Sequence, residues 1–316
     1  MSAAAVPIRV AVVGVGYLGR HHARILSDLP GVTLAGVVDI DPARAREVAA
    51  QCRTDVFPGV EALPGAVDAV TVAVPTGSHV AIAAPLLEMG IPVLVEKPIA
   101  GSVEEARQLL DIADRRHVVL AVGHTERFNP AVDAARPHLY APRFIEGHRL
   151  GTFSPRSLDI DVVFDLMIHD LDVVLSLVDS PVERIDAVGV PVLTPKIDIA
   201  NVRLKFESGC IANLTASRIS RDRVRKIRIF QPDSYVSIDY AAQDLEIWRL
   251  VRQAGAAPVI EGGRTPVQNE EPLRRELRDF VDAAAGGHRP RVTGEDGCRA
   301  LALAERITHE MSYVNA

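Results

Sequence analysis

Two pairs of charged residues are of the types that acid–base chemistry on an alcohol requires. Glu96 and Lys97 end a short apolar run before Pro98. Asp165 and His169 stand four residues apart in another apolar segment. A histidine titrates near working pH and is oriented by a neighbouring carboxylate, and a lysine ammonium stabilises a developing oxyanion. These residue types suit removal of an alcohol proton, and they leave open whether Lys97 or His169 is the base.

Each pair also has an ordinary structural explanation. A Glu-Lys pair in a turn is usually a solvated ion pair, and a polar stripe on a helix is usually its solvated face. One stripe of a helix predicted over Val162–Val178 carries four polar residues at i, i+4, i+7 and i+11, namely Asp165, His169, Asp172 and Ser176. The rest of this helix is apolar, and buried carboxylates need partners or a function. The stripe therefore favours a functional site.

A glycine-rich turn near the start of the chain predicts a dinucleotide-binding site. Gly14, Gly16 and Gly19 follow an apolar strand in GxGxxG spacing; they permit a sharp turn, the approach of a pyrophosphate and close helix packing. The next strand ends at Asp39, about 20 residues later, where a carboxylate binds ribose hydroxyls and repels a 2′-phosphate. The pattern favours NAD over NADP, although Arg44 nearby keeps some use of NADP open. Taken alone, the glycines describe an ordinary strand-to-helix turn equally well.

Other candidate cofactor residues lie where predicted strands end. Ligands of parallel α/β sheets bind beyond the carboxyl ends of the strands, which places Pro75, Thr76 and His79 along the cofactor. His79 is equally well explained as a surface residue of a helix whose expected N-cap is Ser78. The complete set of predicted cofactor-binding residues is Gly14, Gly16, Tyr17, Leu18, Gly19, Asp39, Pro75, Thr76, His79, Glu96 and Lys97.

Alternating helices and strands position these residues in the first part of the chain. That order predicts an α/β fold with a doubly wound parallel sheet, a Rossmann domain, over residues 1–123. Short strands joined by tight turns predict an α+β domain with a large, mostly antiparallel open sheet over residues 124–316. The strands expected there are Phe144–Leu150, Arg184–Val190, Ala200–Phe206, Cys210–Ser217, Val224–Phe230, Tyr235–Ile238 and Asp244–Leu250. Two amphipathic helices near the C-terminus are interpreted as scaffold.

Composition and charge argue against several classes of function. The chain has 316 residues, 48% of them hydrophobic, and a net charge of −6, which suits two domains and argues against a general nucleic-acid surface. Three scattered cysteines form no disulfide framework, so we expect a reducing cytoplasm. We expect neither a signal sequence nor membrane insertion, because the first apolar run is a strand and no run is long enough to span a bilayer. The histidines and cysteines lack metal-ligand spacing; no metal is expected, and His21 and His22 are interpreted as packing or surface residues.

Five short motifs are shared with one known family of enzymes. They are Glu96-Lys97-Pro98, Asp165 with His169 in DxxxH spacing, the strand end Ala73-Val74-Pro75-Thr76, Arg127-Phe128-Asn129-Pro130 and Gly294-Glu295-Asp296-Gly297. The chain resembles the Gfo/Idh/MocA family of sugar and cyclitol dehydrogenases over essentially its whole length. The resemblance implies that Lys97 and His169 line the active site beside the nicotinamide, with Asp165 as the acidic partner. It also implies a homodimer or homotetramer, and it has one departure, Ile160-Asp161 in place of a frequent Gly-Gly before the helix.

Two longer stretches narrow the resemblance. Residues 146–178 and 202–240 are similar to family members that use NAD to oxidise the C3 hydroxyl of UDP-N-acetylglucosamine. In those enzymes the 3-keto sugar passes to an aminotransferase, which makes a diamino sugar for lipid A. The sugar-nucleotide substrate is expected to contact Arg127, Asn129, Arg156, Asp172 and Arg218. Arg156 and Arg218, together with Arg221, Arg223 and Arg225, form a basic cluster that suits a diphosphate. Each of these arginines alone is usually a solvated charge.

Two other functions fit the same residues. The first is a dehydrogenase of a free sugar or cyclitol, within the same family. The second is a non-catalytic NAD(H)-binding regulator or assembly protein. The joint presence of Lys97, Asp165 and His169 counts against the second.

Overall fold

The chain forms two compact units. The computed structural model describes residues 6–153, 160–253 and 256–313. The first unit comprises Met1–His124 and Leu273–Arg299, and the second comprises Thr125–Pro272 and Ala300–Ala316. The first break lies beside the boundary predicted at Gly123. The return of Leu273–Arg299 to the first unit departs from a second domain running unbroken from 124 to 316.

The first unit contains a six-stranded, all-parallel sheet. Its strands are β1 (Ile8–Val13), β2 (Val32–Val38), β3 (Asp55–Val56), β4 (Ala69–Val72), β5 (Val93–Glu96) and β6 (Leu120–Gly123). The helices that alternate with them are α1 (Gly19–Leu26), α2 (Pro42–Cys52), α3 (His79–Glu88) and α4 (Val103–Arg116). The strand order is β3-β2-β1-β4-β5-β6, so the direction of winding reverses between β1 and β4. Ligands of such sheets bind at this switch point, and the predicted α/β class is confirmed.

Two elements of this unit compare differently with the starts predicted for them. The strand predicted from Val118 begins two residues later, because the N–H of Val118 bonds back to the carbonyl of Ala113 and closes the end of α4. His117, which ends α4, has a positive φ of 52°. Ser78 occupies the N-cap position of α3 as predicted, but its side chain makes no capping hydrogen bond.

The second unit contains a nine-stranded sheet and the helix that carries Asp165 and His169. Its strands are β7 (Phe144–Leu150), β8 (Val182–Val190), β9 (Ile199–Phe206), β10 (Ile211–Ser217), β11 (Val224–Phe230), β12 (Ser234–Asp239), β13 (Asp244–Val251), β14 (Val259–Thr265) and β15 (Ser312–Tyr313). The order is β14-β13-β12-β11-β7-β10-β9-β8-β15. Pairs β7–β10 and β8–β15 are parallel and the others are antiparallel. The expected mostly antiparallel sheet is confirmed.

The remaining helices are α5 (Pro130–Ala135), α6 (Ile168–Leu177), α7 (Pro272–Gly286) and α8 (Gly294–Glu310).

Alternate residues of β9, namely Val202, Leu204 and Phe206, face a core that also contains Leu171 and Val174 of α6. This alternation is what sequence periodicity detects. The same periodicity missed β14, which is exposed along most of its length and is interrupted by two glycines.

The apolar face of α7 explains why it belongs to the first unit. Leu277, Phe280 and Val281 pack in the core that contains Val10 and Val12 of β1. Amphipathic spacing predicts such a face, but it does not say which core the face will cover.

Candidate active site

The glycine turn after β1 meets three different steric requirements. Gly14 has a positive φ of +83°, and a Cβ there would lie 2.7 Å from the carbonyl oxygen of Ala73. A Cβ on Gly19 would lie 1.7 Å from the carbonyl oxygen of Gly14, so α1 packs directly against the turn. A Cβ on Gly16 would meet no described atom within 4 Å. Gly16, unlike the other two, leaves open space beside the main chain, which is what an approaching pyrophosphate requires.

The start of α1 suits an anionic ligand. Its N-cap residue, Leu18, has an apolar side chain, and the first turn reads Gly-Arg-His-His, without a carboxylate. Main-chain N–H groups at a helix N-terminus favour a phosphate, and the helix dipole adds to this. Tyr17 and Leu18 are both exposed beside the turn. The residues therefore fit the diphosphate of a dinucleotide.

Asp39 follows β2 and has an almost completely buried carboxylate. Its Oδ2 accepts a hydrogen bond from the N–H of Val15 at 2.8 Å, and its Oδ1 accepts one from the N–H of Asp41 at 2.9 Å. A guanidinium nitrogen of Arg44 lies 3.4 Å from Oδ1. The carboxylate therefore holds the glycine turn in place, and its contact with a ribose stays a prediction.

Glu96 and Lys97 do not form a solvated ion pair. Glu96 is 5% exposed; its Oε1 lies 3.0 Å from Nε2 of His22, and its Oε2 accepts the N–H of Lys97 at 3.1 Å. Burial alone would raise the pKa of Glu96, but the hydrogen bond and electrostatic attraction of His22 and the charge of Lys97 outweigh it and lower this pKa. Lys97 is half-buried, and its peptide bond to Pro98 is cis.

His79 is buried at the start of α3, so its interpretation as a surface histidine is wrong. Its Nδ1 lies 3.0 Å from the carbonyl oxygen of Pro98, and its Nε2 lies 2.9 Å from that of Val74. Burial lowers the pKa of the ring; the hydrogen bonds to Val74 and Pro98 and the attraction of Glu96 oppose this lowering without cancelling it. His79 thus ties the segment after β4 to the segment after Lys97, while its predicted contact with the cofactor stays a prediction. Pro75 and Thr76 lie in the turn between β4 and α3, where Thr76 begins a short 3₁₀ helix and Pro75 directly precedes it.

The helix predicted over Val162–Val178 is not one continuous α-helix. A π-helical turn spans Val163–Met167, and α6 begins at Ile168. A π turn is wider than an α-helical turn, so the α-helical spacing on which the predicted stripe depends does not hold at Asp165, and the alignment of the four polar residues stays a prediction. Asp165 lies in the π turn and His169 in the first turn of α6, and both are half-buried. Such π turns occur frequently at functional sites.

Ile160 and Asp161, just before the helix, tie its start to segments that flank strands of the second unit. The carbonyl of Ile160 accepts a hydrogen bond from the guanidinium of Arg218. The Oδ1 of Asp161 accepts the N–H of Ile197 at 2.8 Å, and its main-chain carbonyl accepts the N–H of Asp165 at 3.2 Å. A glycine at 161 could not make this side-chain contact, whereas the contact of Ile160 is made by its main chain and would be open to any residue.

A network of buried ion pairs lies beside α6. Arg149 of β7 donates two hydrogen bonds to the carboxylate of Asp170, at 2.7 and 3.0 Å, and a third to Glu126 at 2.9 Å. The ring of Tyr240 lies 5.3 Å from the Arg149 guanidinium carbon. Burial would lower the pKa of Arg149, but the two carboxylates outweigh it and raise this pKa. The two-point contact of Asp170 with Arg149 therefore joins the first turn of α6 to β7.

Two of the predicted substrate contacts form a buried ion pair. Arg127 and Asp172 are both almost fully buried, with 3.2 Å between Nη1 and Oδ1. Asp172 belongs to α6, and Arg127 to the 3₁₀ turn Thr125–Phe128. The pair therefore fixes one side of α6, and direct contact with a substrate stays a prediction for both residues.

Three other predicted substrate contacts have different placements. Asn129 caps α5 by accepting the N–H of Ala131 at 3.1 Å, and its amide donates to the carbonyl of Tyr240 at 2.9 Å. Arg218 is buried and lies 3.7 Å from Asp198. Arg156 lies outside the described residues. The side chain of Asn129 is thus committed to local structure.

Comparisons with known proteins agree with this architecture. Residues 8–124 match the oxidoreductase family with an NAD-binding Rossmann fold, and residues 140–231 match the GFO/IDH/MocA C-terminal domain. A UDP-N-acetylglucosamine 3-dehydrogenase from Acidithiobacillus ferrooxidans is 43% identical over 305 residues, which cover 95% of this chain and 96% of that protein. The chain belongs to the GFO/IDH/MocA family of oxidoreductases.

Solved structures support the same conclusion at the level of the fold. That A. ferrooxidans enzyme superposes with a TM-score of 0.90 at 39% identity, covering 97% of this chain and 98% of the other. A levoglucosan dehydrogenase in complex with NADH gives 0.85 at 17% identity, with 96% of each chain covered. An inositol 2-dehydrogenase from Saccharopolyspora erythraea is 28% identical over 94% of this chain and 92% of that protein. The family resemblance drawn from the sequence motifs is confirmed.

Sequence reasoning missed several residues of this GFO/IDH/MocA protein. Arg149, Asp170 and Glu126 were not singled out, although an unexplained carboxylate in an apolar helix was a signal for Asp170. The interpretation of His22 as a packing or surface residue does not include its contact with Glu96. No group of three or more His, Cys, Asp or Glu side chains in the described part of the chain is arranged to hold a metal ion. Over the same residues, no helix is both long and apolar enough to cross a membrane.

Proposed function

We propose that the protein is an NAD-dependent dehydrogenase that oxidises the C3 hydroxyl of UDP-N-acetylglucosamine to a ketone. The observation that carries the proposal is the similarity, along nearly the whole chain, to a UDP-N-acetylglucosamine 3-dehydrogenase at 43% identity. The inositol dehydrogenases are more distant, at 28% identity for two that each cover 94% of this chain. The sugar nucleotide is therefore favoured over a free cyclitol as the substrate.

The first unit supplies the cofactor site in this proposal. The turn from Gly14 to Gly19 would hold the diphosphate, because its main chain is open at Gly16 and carries no competing acid. Asp39 would bind the adenosine ribose and disfavour a 2′-phosphate. When bound, NAD supplies the acceptor for the hydride that leaves the sugar carbon.

The chain's own residues would handle the proton of the reacting hydroxyl. Oxidation of an alcohol to a ketone releases one hydride and one proton, so a base must take the proton as the hydride departs. His169, with Asp165 as its acidic partner, is one candidate. Lys97 is the other, either as the base or as the donor that stabilises the developing oxyanion.

A trapping experiment tests the proposed reaction. The protein is incubated with NAD and UDP-N-acetylglucosamine in the presence of O-methylhydroxylamine, which converts a ketone to a stable oxime and draws an unfavourable equilibrium forward. Mass spectrometry is expected to show the oxime of the oxidised sugar nucleotide, and NMR to place it at C3. An oxime obtained from myo-inositol or a free sugar, but not from the sugar nucleotide, would replace the substrate. No oxime from any of them would favour a non-catalytic NAD(H)-binding regulator.

Three further expectations accompany the proposal. We propose a homodimer or homotetramer, which light scattering of the purified protein tests. An aminotransferase that accepts the 3-keto sugar, with glutamate as amino donor, is the expected functional partner, and its addition should convert the ketone to an amine. The cytoplasm is the expected compartment, in keeping with three free cysteines.

A further inference from the structure

Two buried histidines contact the residues on either side of Lys97. On one side, His22 lies 3.0 Å from Oε1 of Glu96. On the other, His79 lies 3.0 Å from the carbonyl oxygen of Pro98. Both rings are almost completely inaccessible to solvent, so neither contact is a surface accident. The main chain at Lys97 is thus held from two different helices.

The His22–Glu96 contact is the more specific of the two. Glu96 uses its second oxygen, Oε2, to accept the N–H of Lys97 at 3.1 Å. One carboxylate therefore joins the ring of His22 directly to the main chain of Lys97. The Nδ1 of His22 has no hydrogen-bond partner among the described residues, so the ring makes its one polar contact through Nε2 to Glu96.

The sheet is shaped to receive this carboxylate. A Cβ on Gly123, in the neighbouring strand β6, would lie 3.0 Å from both Cδ and Oε2 of Glu96. The absence of a side chain at 123 leaves room for the carboxylate to turn toward Lys97. Three elements of the first unit, α1, β5 and β6, therefore determine where the carboxylate lies.

Stability alone does not account for a pair of this kind. Removing two polar groups from water is costly, and well-packed apolar residues of similar volume are often equally stable or more stable in such positions. A buried pair does fix one arrangement of its neighbours, because breaking it leaves a carboxylate unpaired. Here the neighbour is the residue predicted to meet the substrate.

We propose that His22 is a positioning residue, which holds the Glu96 carboxylate and through it sets the main-chain position and side-chain direction of Lys97. Because α1 begins at the third glycine of the dinucleotide turn, His22 also joins that turn to the lysine within one hydrogen-bonded chain. The inference rests on the proposed function in so far as Lys97 takes part in the reaction.

Three variants separate positioning from packing. His22→Leu keeps an apolar bulk and removes the donor, whereas His22→Gln keeps an N–H that reaches toward Glu96. Ile25→Ala, on the same helix and fully buried, is the matched control, because it opens a cavity in α1 without touching Glu96. Each variant is compared for turnover, for KM of NAD and for the rate at which an acetylating reagent modifies Lys97, followed by peptide mass spectrometry.

The expected results differ among the three proteins. His22→Leu lowers kcat by about tenfold or more, since small misplacements of catalytic groups have effects of this size, and leaves KM for NAD nearly unchanged. It also raises the acetylation rate of Lys97, because the main chain is no longer held. His22→Gln restores most of both values. Ile25→Ala lowers the melting temperature but changes neither value.

The two proposals fail in different ways. If no substrate is turned over by the unaltered protein, the proposed function fails, and the acetylation rates still test the positioning of Lys97. Equal effects of His22→Leu and Ile25→Ala, or no rescue by His22→Gln, overturn the positioning role. Should His22→Leu fail to fold, Glu96→Gln replaces it: a faster acetylation of Lys97 supports the role, and an unchanged rate overturns it.

Discussion

The two units hold their candidate catalytic residues by different means. Lys97 follows a strand of a parallel sheet, and its main chain is held by a carboxylate on the adjacent residue. His169 lies where a π turn meets an α-helix, and that helix is held by ion pairs with Arg149 and Arg127. In the first unit, the position of Lys97 depends on the end of β5 and on the hydrogen bonds that link His22, Glu96 and Lys97. In the second unit, the position of α6 depends on several buried ion pairs.

This difference predicts different weaknesses. The strand β5 lies between β4 and β6, and its last residue, Glu96, pairs with Gly123 of β6. Loss of the side-chain contact at Glu96 should therefore alter the position of Lys97 as well as stability. A buried charge whose partner is removed is strongly destabilising, about 3–5 kcal/mol in other proteins. Cutting the network of the second unit should therefore cost mainly stability, whereas cutting the His22–Glu96 pair of the first unit should cost activity as well as stability, because Glu96 also holds the main chain of Lys97.

The largest expected effect is on turnover. Lys97→Ala and His169→Ala should each lower kcat by about 10²- to 10⁴-fold, the usual contribution of positioned acid–base groups. Loss of the residue that serves as the base should also abolish one limb of the pH–rate profile. His169→Ala should leave NADH affinity unchanged, measured by fluorescence titration. The exposed Lys196 offers a control, since Lys196→Ala should change none of these values. Near-normal turnover in both variants would contradict the proposed mechanism.

The second effect is on the stability of the second unit. Arg149→Met should lower the free energy of unfolding by about 3–5 kcal/mol, because it leaves the carboxylates of Asp170 and Glu126 buried without their partner. Arg228, which pairs with Glu146 at 2.8 Å on a partly exposed part of the same sheet, gives a matched comparison. Arg228→Met should cost at most about 1 kcal/mol. Equal losses in urea denaturation would show that the buried network has no special weight.

The third effect separates two glycines of the dinucleotide turn. Gly19→Ala should lower the free energy of unfolding by about 1–3 kcal/mol through overpacking, because its Cβ would collide with the carbonyl of Gly14. Gly16→Ala should leave stability nearly unchanged but weaken NADH binding by about tenfold, or 1.4 kcal/mol. Calorimetric titration and thermal unfolding of both variants provide the measurement. A stable Gly16→Ala protein with unaltered NADH affinity would remove this turn from the cofactor site.

The smallest effect concerns pH. The pKa of Glu96 is lowered in the folded chain from its usual value of 4.5, so ionisation of this group contributes stability that is present above pH 4.5 and is lost as the pH falls through the folded pKa. The difference in free energy of unfolding between the unaltered protein and Glu96→Gln should be constant near neutral pH and shrink below about pH 4.5. A difference that grows on acidification would mean that the pKa is raised.

The parts of the molecule that were predictable from sequence are those with local causes. The glycine turn depends on three residues within six positions, and β1 and β7 depend on short apolar or alternating runs. Each signal lies within a window that a single sequence displays. The fold class, the family and the strand ends followed from such windows.

The rest depends on pairs that are far apart in the chain. Glu96 meets His22, 74 residues away, and Arg149 meets Asp170, 21 residues away. Apolar periodicity also gives no sign of the π turn at Val163–Met167, because the apolar residues of this segment suit a buried helix of either kind. The return of α7 to the first core has the same origin, since an amphipathic face does not specify its partner.

The transfer of a C3 hydrogen to the cofactor tests the central claim most directly. UDP-N-acetylglucosamine deuterated at C3 is incubated with the protein, NAD and the ketone trap, and the reduced cofactor and the trapped sugar are analysed by mass spectrometry. The proposal predicts that deuterium appears in the reduced cofactor, is absent from the sugar oxime, and slows turnover when hydride transfer limits the rate. Deuterium that remains in an oxidised sugar would place the reaction at another carbon and contradict the assignment.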